Sequence, residues 1–284
     1  MRVITIATHR NDDLERLLIS ARRFNINVEL IGEGREYLDH YVKTDWLIEY
    51  LATLDPEEIV LYTDGYDSVI LRDTNYMEEE FLKLNHPIVF GTEQNFNVEA
   101  SLFRKFIYYL NYPKGKKPYR YLNAGGWIGR AGYAKDLLSK VVGGDDQSLL
   151  LKYLTKHKNA LAHDIDQNIF SCMAGRSGME DHDYSLDDNG LVVNNVTKSR
   201  PAILHCAGKN FYGMYKVLSQ FNYFPKETFS EQEMKRYRKF KFWNTLTAYT
   251  TADNYLFHLL LKSSLILLGL IAVFLIVASI QSIK

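Results

Sequence analysis

Ile59-Val60-Leu61-Tyr62-Thr63-Asp64-Gly65-Tyr66-Asp67 is the stretch that decides how this 284-residue chain reads. A β-prone, largely apolar run stops at two aspartates in a D-x-x-D spacing, and apolar residues resume at Val69-Ile70-Leu71. A buried strand that delivers two carboxylates to its carboxyl end is costly unless a positive group meets them there. In an open α/β sheet that edge is also where ligands bind. A divalent cation carrying a phosphorylated ligand accounts for both facts.

Outward from this strand, residues 1–110 alternate strand and helix signals. Val3–Ala7 reads as a first strand, and Leu14, Leu17, Leu18 and Ala21 mark one face of a helix from Asp12 to about Phe24, with Asn11 or Asp12 as its cap. Val28–Gly32 is a second strand, a helix follows over Lys43–Leu54, and Ile88–Gly91 is a further strand. Strands alternating with helices imply a Rossmann-like, mostly parallel sheet. Past a loop at Tyr112–Pro118, Tyr121–Gly129 reads as a short strand broken by glycines, which permit close backbone approach to a ligand. Helices are expected over Gln147–Thr155 and Gln167–Met173, and a late strand, Ala202–Leu204, ends at His205.

The composition is that of a globular protein, 46% hydrophobic and 24% charged, with 34 basic and 34 acidic residues. This balance lacks the basic excess of a nucleic-acid binder. Cys172 and Cys206 form no metal-ligand spacing and no disulfide framework, so they read as buried free thiols of a reducing compartment. The first residues read directly as a strand rather than as a cleavable leader. At the other end, Ser263–Ile280 carries no charge; these eighteen residues span about 27 Å as a helix, close to the hydrocarbon thickness of a bilayer. A basic and aromatic stretch precedes it, with Lys235, Arg236, Tyr237, Arg238, Lys239, Phe240, Lys241, Phe242 and Trp243. Such composition suits a membrane interface. The expected organisation is a catalytic domain over 1–230, a juxtamembrane segment over 231–254 and a transmembrane anchor over 255–284.

His205 supplies an imidazole at the end of a distant strand. Taken alone it reads as a satisfied core histidine, and the aspartate pair alone reads as a turn that caps backbone amides. Together, two carboxylates, one imidazole and phosphate oxygens suit Mn²⁺ (or Mg²⁺) better than Ca²⁺ or structural zinc.

Read in order, these segments resemble the glycosyltransferase domain of the procollagen lysyl hydroxylases and collagen glycosyltransferases. The resemblance runs through Val3–Thr8, Leu61–Leu71, Phe90–Glu93, Leu122-Asn123-Ala124-Gly125-Gly126-Trp127-Ile128-Gly129, Asp145-Asp146-Gln147 and Leu204–Lys209, over roughly residues 1 to 215. It implies a GT-A fold, a UDP-glucose or UDP-galactose donor and Mn²⁺. It implies that Asp64, Asp67 and His205 hold the metal and diphosphate, and that Thr8 and Tyr66 contact the uridine, as does Lys43 if its helix packs against the base. Asn123, Gly125, Gly126, Asp145 and Asp146 are then expected around the donor sugar and reaction centre, and Gly208 and Lys209 at the diphosphate.

The chain departs from the family's His-Gly-Asn-Gly closing segment, with His205-Cys206-Ala207-Gly208 in its place. Asp166-Gln167 is a second acidic-amide pair that competes with Asp145-Asp146 for the catalytic role, and adjacent aspartates are also ordinary helix-start residues. The expected activity is transfer of a hexose to a hydroxyl acceptor of protein or glycan. The alternatives are a catalytically silent nucleotide-sugar binder and a metal-dependent nucleotidyltransferase or phosphoesterase. With basic residues before the anchor, the catalytic domain is expected on the cytoplasmic side of a membrane.

Overall fold

A computed structural model describes residues 1–37, 41–94, 100–114, 118–173, 184–207 and 255–282, with isolated positions at 96, 98 and 235. Its centre is a nine-stranded mixed sheet in the order β2-β1-β3-β6-β5-β8-β11-β4, with β7 beside β5. The strands are β1 (Arg2–Ile6), β2 (Val28–Ile31), β3 (Ile59–Thr63), β4 (Ser68–Ile70), β5 (Ile88–Glu93), β6 (Tyr121–Arg130), β7 (Ala162–His163), β8 (Phe170–Cys172) and β11 (Ile203–His205). β1, β2 and β3 are mutually parallel, as are β5, β7, β8 and β11; β6 runs antiparallel to β3 and β5, and β4 antiparallel to β11. A separate hairpin pairs β9 (Tyr184–Leu186) with β10 (Val192–Asn194).

The local signals account for most of these elements. Helix α1 (Asp12–Arg22) starts where the Asn11 side chain accepts the Leu14 N–H, and it buries Leu14, Leu17 and Ala21 against Val3, Val28 and Leu61. Helix α2 (Tyr41–Leu51) buries Trp46, Leu47 and Leu51 on the opposite side, in a core with Ile4, Val60, Tyr62, Phe90 and Trp127. Helices α3 (Thr74–Lys83), α4 (Leu102–Asn111), α5 (Ala131–Leu138) and α6 (Asp146–Leu154) complete the domain.

The sheet curls. β3 and β11 are four steps apart in strand order, about 19 Å across a flat sheet. The chain nevertheless passes from the end of β3 to the start of β4, the partner of β11, through only Asp64-Gly65-Tyr66-Asp67. That crossing is pinned at both ends. The Asp64 N–H donates to the Gly125 carbonyl at 2.8 Å, and the Cys206 N–H donates to the Asp67 carbonyl at 2.8 Å.

Two expectations from the sequence are corrected. Tyr121–Arg130 is one continuous ten-residue strand, not a short broken one, because the glycines lie flat against bulky neighbours instead of ending the ladder. A Cβ at Gly126 would sit 2.6 Å from the Phe170 ring, and one at Gly129 2.7 Å from Ile88. Gln167–Met173 is not a helix. Gln167 takes a left-handed φ of 54°, and the buried Asp164 carboxylate accepts the N–H groups of Asn168, Ile169 and Phe170, turning the chain into β8. The apolar spacing of that segment mimics a helix while belonging to a buried strand.

The C-terminal helix spans Tyr255–Ser282. Among the described residues no helix is long and apolar enough to cross a membrane. The juxtamembrane segment, 231–254, lies outside the described residues apart from position 235, as do Gly208 and Lys209.

Candidate functional site

The carboxyl edge of the sheet gathers Asp64 and Asp67 from the crossing, His205 from the end of β11 and Gly125 from β6. His205 Nε2 lies 3.3 Å from Asp67 Oδ1 and 3.7 Å from Asp64 Oδ2. One ligand atom from each of the three residues falls within 4.8 Å of the others. Asp67 Oδ1 and His205 Nε2 are buried, and neither has a hydrogen-bond partner. Orphaned buried polar atoms carry a desolvation cost of about 1–3 kcal/mol each unless something coordinates them. A divalent ion with ligands at roughly 2.1 Å separates neighbouring ligand atoms by about 3–4 Å, the spacing of His205 from each aspartate. Gly125 leaves the room, since a Cβ there would lie 2.1 Å from His205 Cε1 and 2.7 Å from Asp64 Oδ2. The three residues therefore fit a divalent cation.

The electrostatics around the triad are set by Lys43. Its ammonium reaches from α2 to Asp64 Oδ1 at 2.9 Å and to Asp146 Oδ2 at 3.0 Å, lying 5.1 Å above the Tyr62 ring. The Tyr62 hydroxyl donates to the same Asp64 oxygen. Oδ1 of Asp64 is thus occupied, which leaves Oδ2 toward His205. Burial alone would raise the Asp64 carboxyl; Lys43, His205 and Tyr62 outweigh it and bring its pKa down to about 2. Burial pushes the His205 imidazole down, but the Asp67 carboxylate beside it reverses the shift and holds it well above its ordinary value. Behind the ring, Nδ1 lies 3.9 Å from the buried Cys172 sulfur.

A second polar cluster adjoins the first. Asn123 Oδ1 accepts the Gly125 N–H at 3.0 Å, bending β6 around the metal cradle. Its amide faces Glu93 and Gln147 at 3.3 and 3.5 Å, and Gln147 donates to Glu93 at 2.6 Å while accepting the Ala124 N–H. Glu93 is 1% exposed. This buried acid was not among the sequence candidates. The clue was available: Glu93 ends an apolar strand at the same edge as Asp64.

The remaining expected residues divide. Asp146 meets Lys43, whereas the Asp145 side chain accepts the Ser148 N–H and caps α6, the helix-start role. Lys43 engages the two carboxylates described above. The Tyr66 hydroxyl accepts the backbone N–H of Thr8 at 3.1 Å and of His9 at 3.3 Å, and its ring stacks on His9 at 5.2 Å. Thr8, in the loop after β1, and Tyr66, in the β3–β4 crossing, are thus held together next to the aspartates. In the competing pair, Asp166 is exposed, while Gln167 is buried and bonded to Thr92, Ser171 and Asn194. Gln167 braces the turn into β8, and Asp146 is the acid tied to Asp64 through Lys43.

The family model described as the PLOD GT domain matches residues 1–234. Procollagen-lysine,2-oxoglutarate 5-dioxygenase of Drosophila melanogaster is 30% identical over 237 residues, covering 76% of this chain and 32% of that protein. The multifunctional procollagen lysine hydroxylase and glycosyltransferase of Caenorhabditis elegans is 27% identical over 244 residues, covering 75% and 32%. Its human counterpart LH3 is 25% identical over 236 residues, covering 75% and 31%. The chain spans about a third of the length of these curated relatives. The matched region takes in the whole curled sheet and every residue of the cluster around Asp64, and on that footing the chain belongs to the PLOD GT domain family, the glycosyltransferase domain of the procollagen lysyl hydroxylases.

Proposed function

We propose that the chain is a divalent-metal-dependent hexosyltransferase that moves glucose or galactose from a UDP-sugar to a hydroxyl acceptor on protein or glycan. The observation that carries this reading is the convergence of Asp64, Asp67 and His205, two of whose buried ligand atoms lack any hydrogen bond. A bound Mn²⁺ or Mg²⁺ would neutralise negative charge that develops on the departing diphosphate. Within the protein, Lys43 holds Asp64 ionised and ties Asp146 to the same edge. Gly125, which carries no side chain, leaves room beside the aspartates for the sugar, and the Asn123 side chain fixes its backbone. In the overall exchange the bond from the anomeric carbon to UDP breaks, one to the acceptor oxygen forms, and the acceptor proton passes to a carboxylate or to water.

The uncharged run at Ser263–Ile280 supports a second part of the proposal, a single-pass anchor in a lipid bilayer. The cations between Lys235 and Lys241 support a catalytic domain on the cytoplasmic side.

The test is release of UDP from UDP-glucose and UDP-galactose by the full chain with and without Mn²⁺. Donor cleavage that requires Mn²⁺ and is lost in Asp67→Ala is the expected result. Donor binding without turnover would favour a silent binder, and phosphoester hydrolysis without a sugar donor would favour a phosphoesterase; either outcome overturns the proposal.

A further inference from the structure

Helix α4 presents an apolar stripe to the outside. Phe103, Ile107 and Leu110 are 73, 39 and 58% exposed, at spacings of four and three residues, and so share one face. The opposite side holds the helix to the domain: Tyr108 and Tyr109 pack on the core, and Tyr109 meets Phe96 edge-on at 5.8 Å. Isolated exposed apolar residues are ordinary, but three aligned on one helix are a patch that calls for a partner.

Two observations identify that partner. The first is charge. Arg104 flanks the stripe and Lys114 follows the helix, both exposed, and the sequence continues with Lys116 and Lys117, which lie outside the described residues. An apolar stripe edged by cations is the composition of a helix lying in the plane of an anionic lipid surface. The second is continuity. The C-terminal helix, which carries the uncharged run Ser263–Ile280, packs against α4, and with that helix alongside, Phe103, Ile107 and Leu110 are still exposed. An embedded terminal helix would therefore bring the stripe to the bilayer.

We infer that α4 is an interfacial docking helix, which inserts Phe103, Ile107 and Leu110 into the headgroup boundary of an anionic membrane while Arg104 and Lys114 pair with lipid phosphates. The argument from continuity rests on reading the C-terminal helix as a membrane anchor, whereas the argument from the stripe and its cations stands without it. Because Tyr112, just after α4, donates or accepts at His163 and receives the Leu122 N–H, docking would hold the Asn123 end of β6 toward the membrane.

The test uses the full chain carrying an environment-sensitive fluorophore at Ile107→Cys or at Leu270→Cys, since the native Cys172 and Cys206 are buried. Vesicles are phosphatidylcholine alone or with about 30% phosphatidylserine, with bromine on the acyl chains as a contact quencher. The expected result is quenching at 107 in anionic vesicles, with the docking equilibrium of α4 lowered about thirtyfold or more by Arg104→Glu with Lys114→Glu. A label at 107 that stays in water while 270 is quenched overturns the docking helix and spares the anchor. A label at 107 that is shielded but unquenched means protein covers the stripe, which also overturns it. Quenching at 107 without quenching at 270 keeps the docking helix and removes the anchor; no quenching at either position removes both.

Discussion

Replacing Gly125 by alanine adds one methyl group at the centre of the candidate metal site. That carbon would lie 2.1 Å from His205 Cε1, 2.8 Å from His205 Nε2 and 2.7 Å from Asp64 Oδ2, more than 1 Å inside ordinary contact with the ring. Strand β6 cannot retreat easily, because the Gly125 carbonyl accepts the Asp64 N–H and its own N–H is held by Asn123. The imidazole must give way, by roughly 1 Å. Metal–ligand distances tolerate about 0.2 Å, so the histidine is lost as a ligand. We expect Mn²⁺ affinity, measured by titration calorimetry, to fall about 100-fold or more, roughly 2.7 kcal/mol. UDP release should fall by a similar factor. Overpacking also destabilises by about 1–3 kcal/mol, so a control is needed. Gly129→Ala supplies it on the same strand, placing a Cβ 2.7 Å from Ile88 and away from the aspartates. It should lose comparable stability in urea while keeping Mn²⁺ affinity. Wild-type affinity in Gly125→Ala, or equal loss in both variants, would refute the assignment of the triad as a metal site.

Lys43→Met leaves Asp64 and Asp146 facing each other without their shared cation. Unfolding free energy should drop by about 3 kcal/mol in the metal-free protein, and an unchanged urea midpoint would contradict the ion bridge. Asp164 links stability to pH. Burial raises its pKa from 3.8 to about 6 despite three backbone N–H donors. Between those values the folded state binds more protons than the unfolded one, so this contribution is complete below about 4 and is lost as pH rises through 6. About two pKa units amount to about 3 kcal/mol; urea titrations from pH 4 to 7 should show that decline in the wild type and a flatter profile in Asp164→Asn. Burial also lifts the Cys172 thiol to about 11, so neither Cys172 nor Cys206 should react with an aromatic disulfide reagent at pH 8 until the chain is unfolded, and prompt labelling would contradict their burial.

The sequence carried more of the site's ligands than of its supports. Asp64, Asp67 and His205 were legible as candidate ligands because polar groups at the ends of apolar strands are costly unless something meets them there. Gly125 was legible as a place of close approach, though not what approaches it. Lys43 was expected at the base only if α2 packed there; its ammonium lies between Asp64 and Asp146, a facing that periodicity does not encode, since α2 mixes Trp46 and Leu47 with Lys43 and Asp45 and has no clean polar side. Asp145 and Asp146 are indistinguishable as letters, and only the start of α6 separates a cap from a site residue. Helices α3, α4 and α5 were not anticipated. The apolar face of α4 points outward, so its pattern marks a partner rather than a core. The segment at Gln167–Met173 misled in the opposite sense, since a buried acid at Asp164 organises the backbone where periodicity suggested a helix.

The tight crossing between β3 and β4 has a consequence for biogenesis. Two of the three candidate ligands, Asp64 and Asp67, lie far ahead of β11 in the chain, and the third arrives only with β11. If the triad holds a cation, the site is complete only once β11 has paired between β8 and β4. Capture of the ion is then a late event in folding and not a nucleus for it.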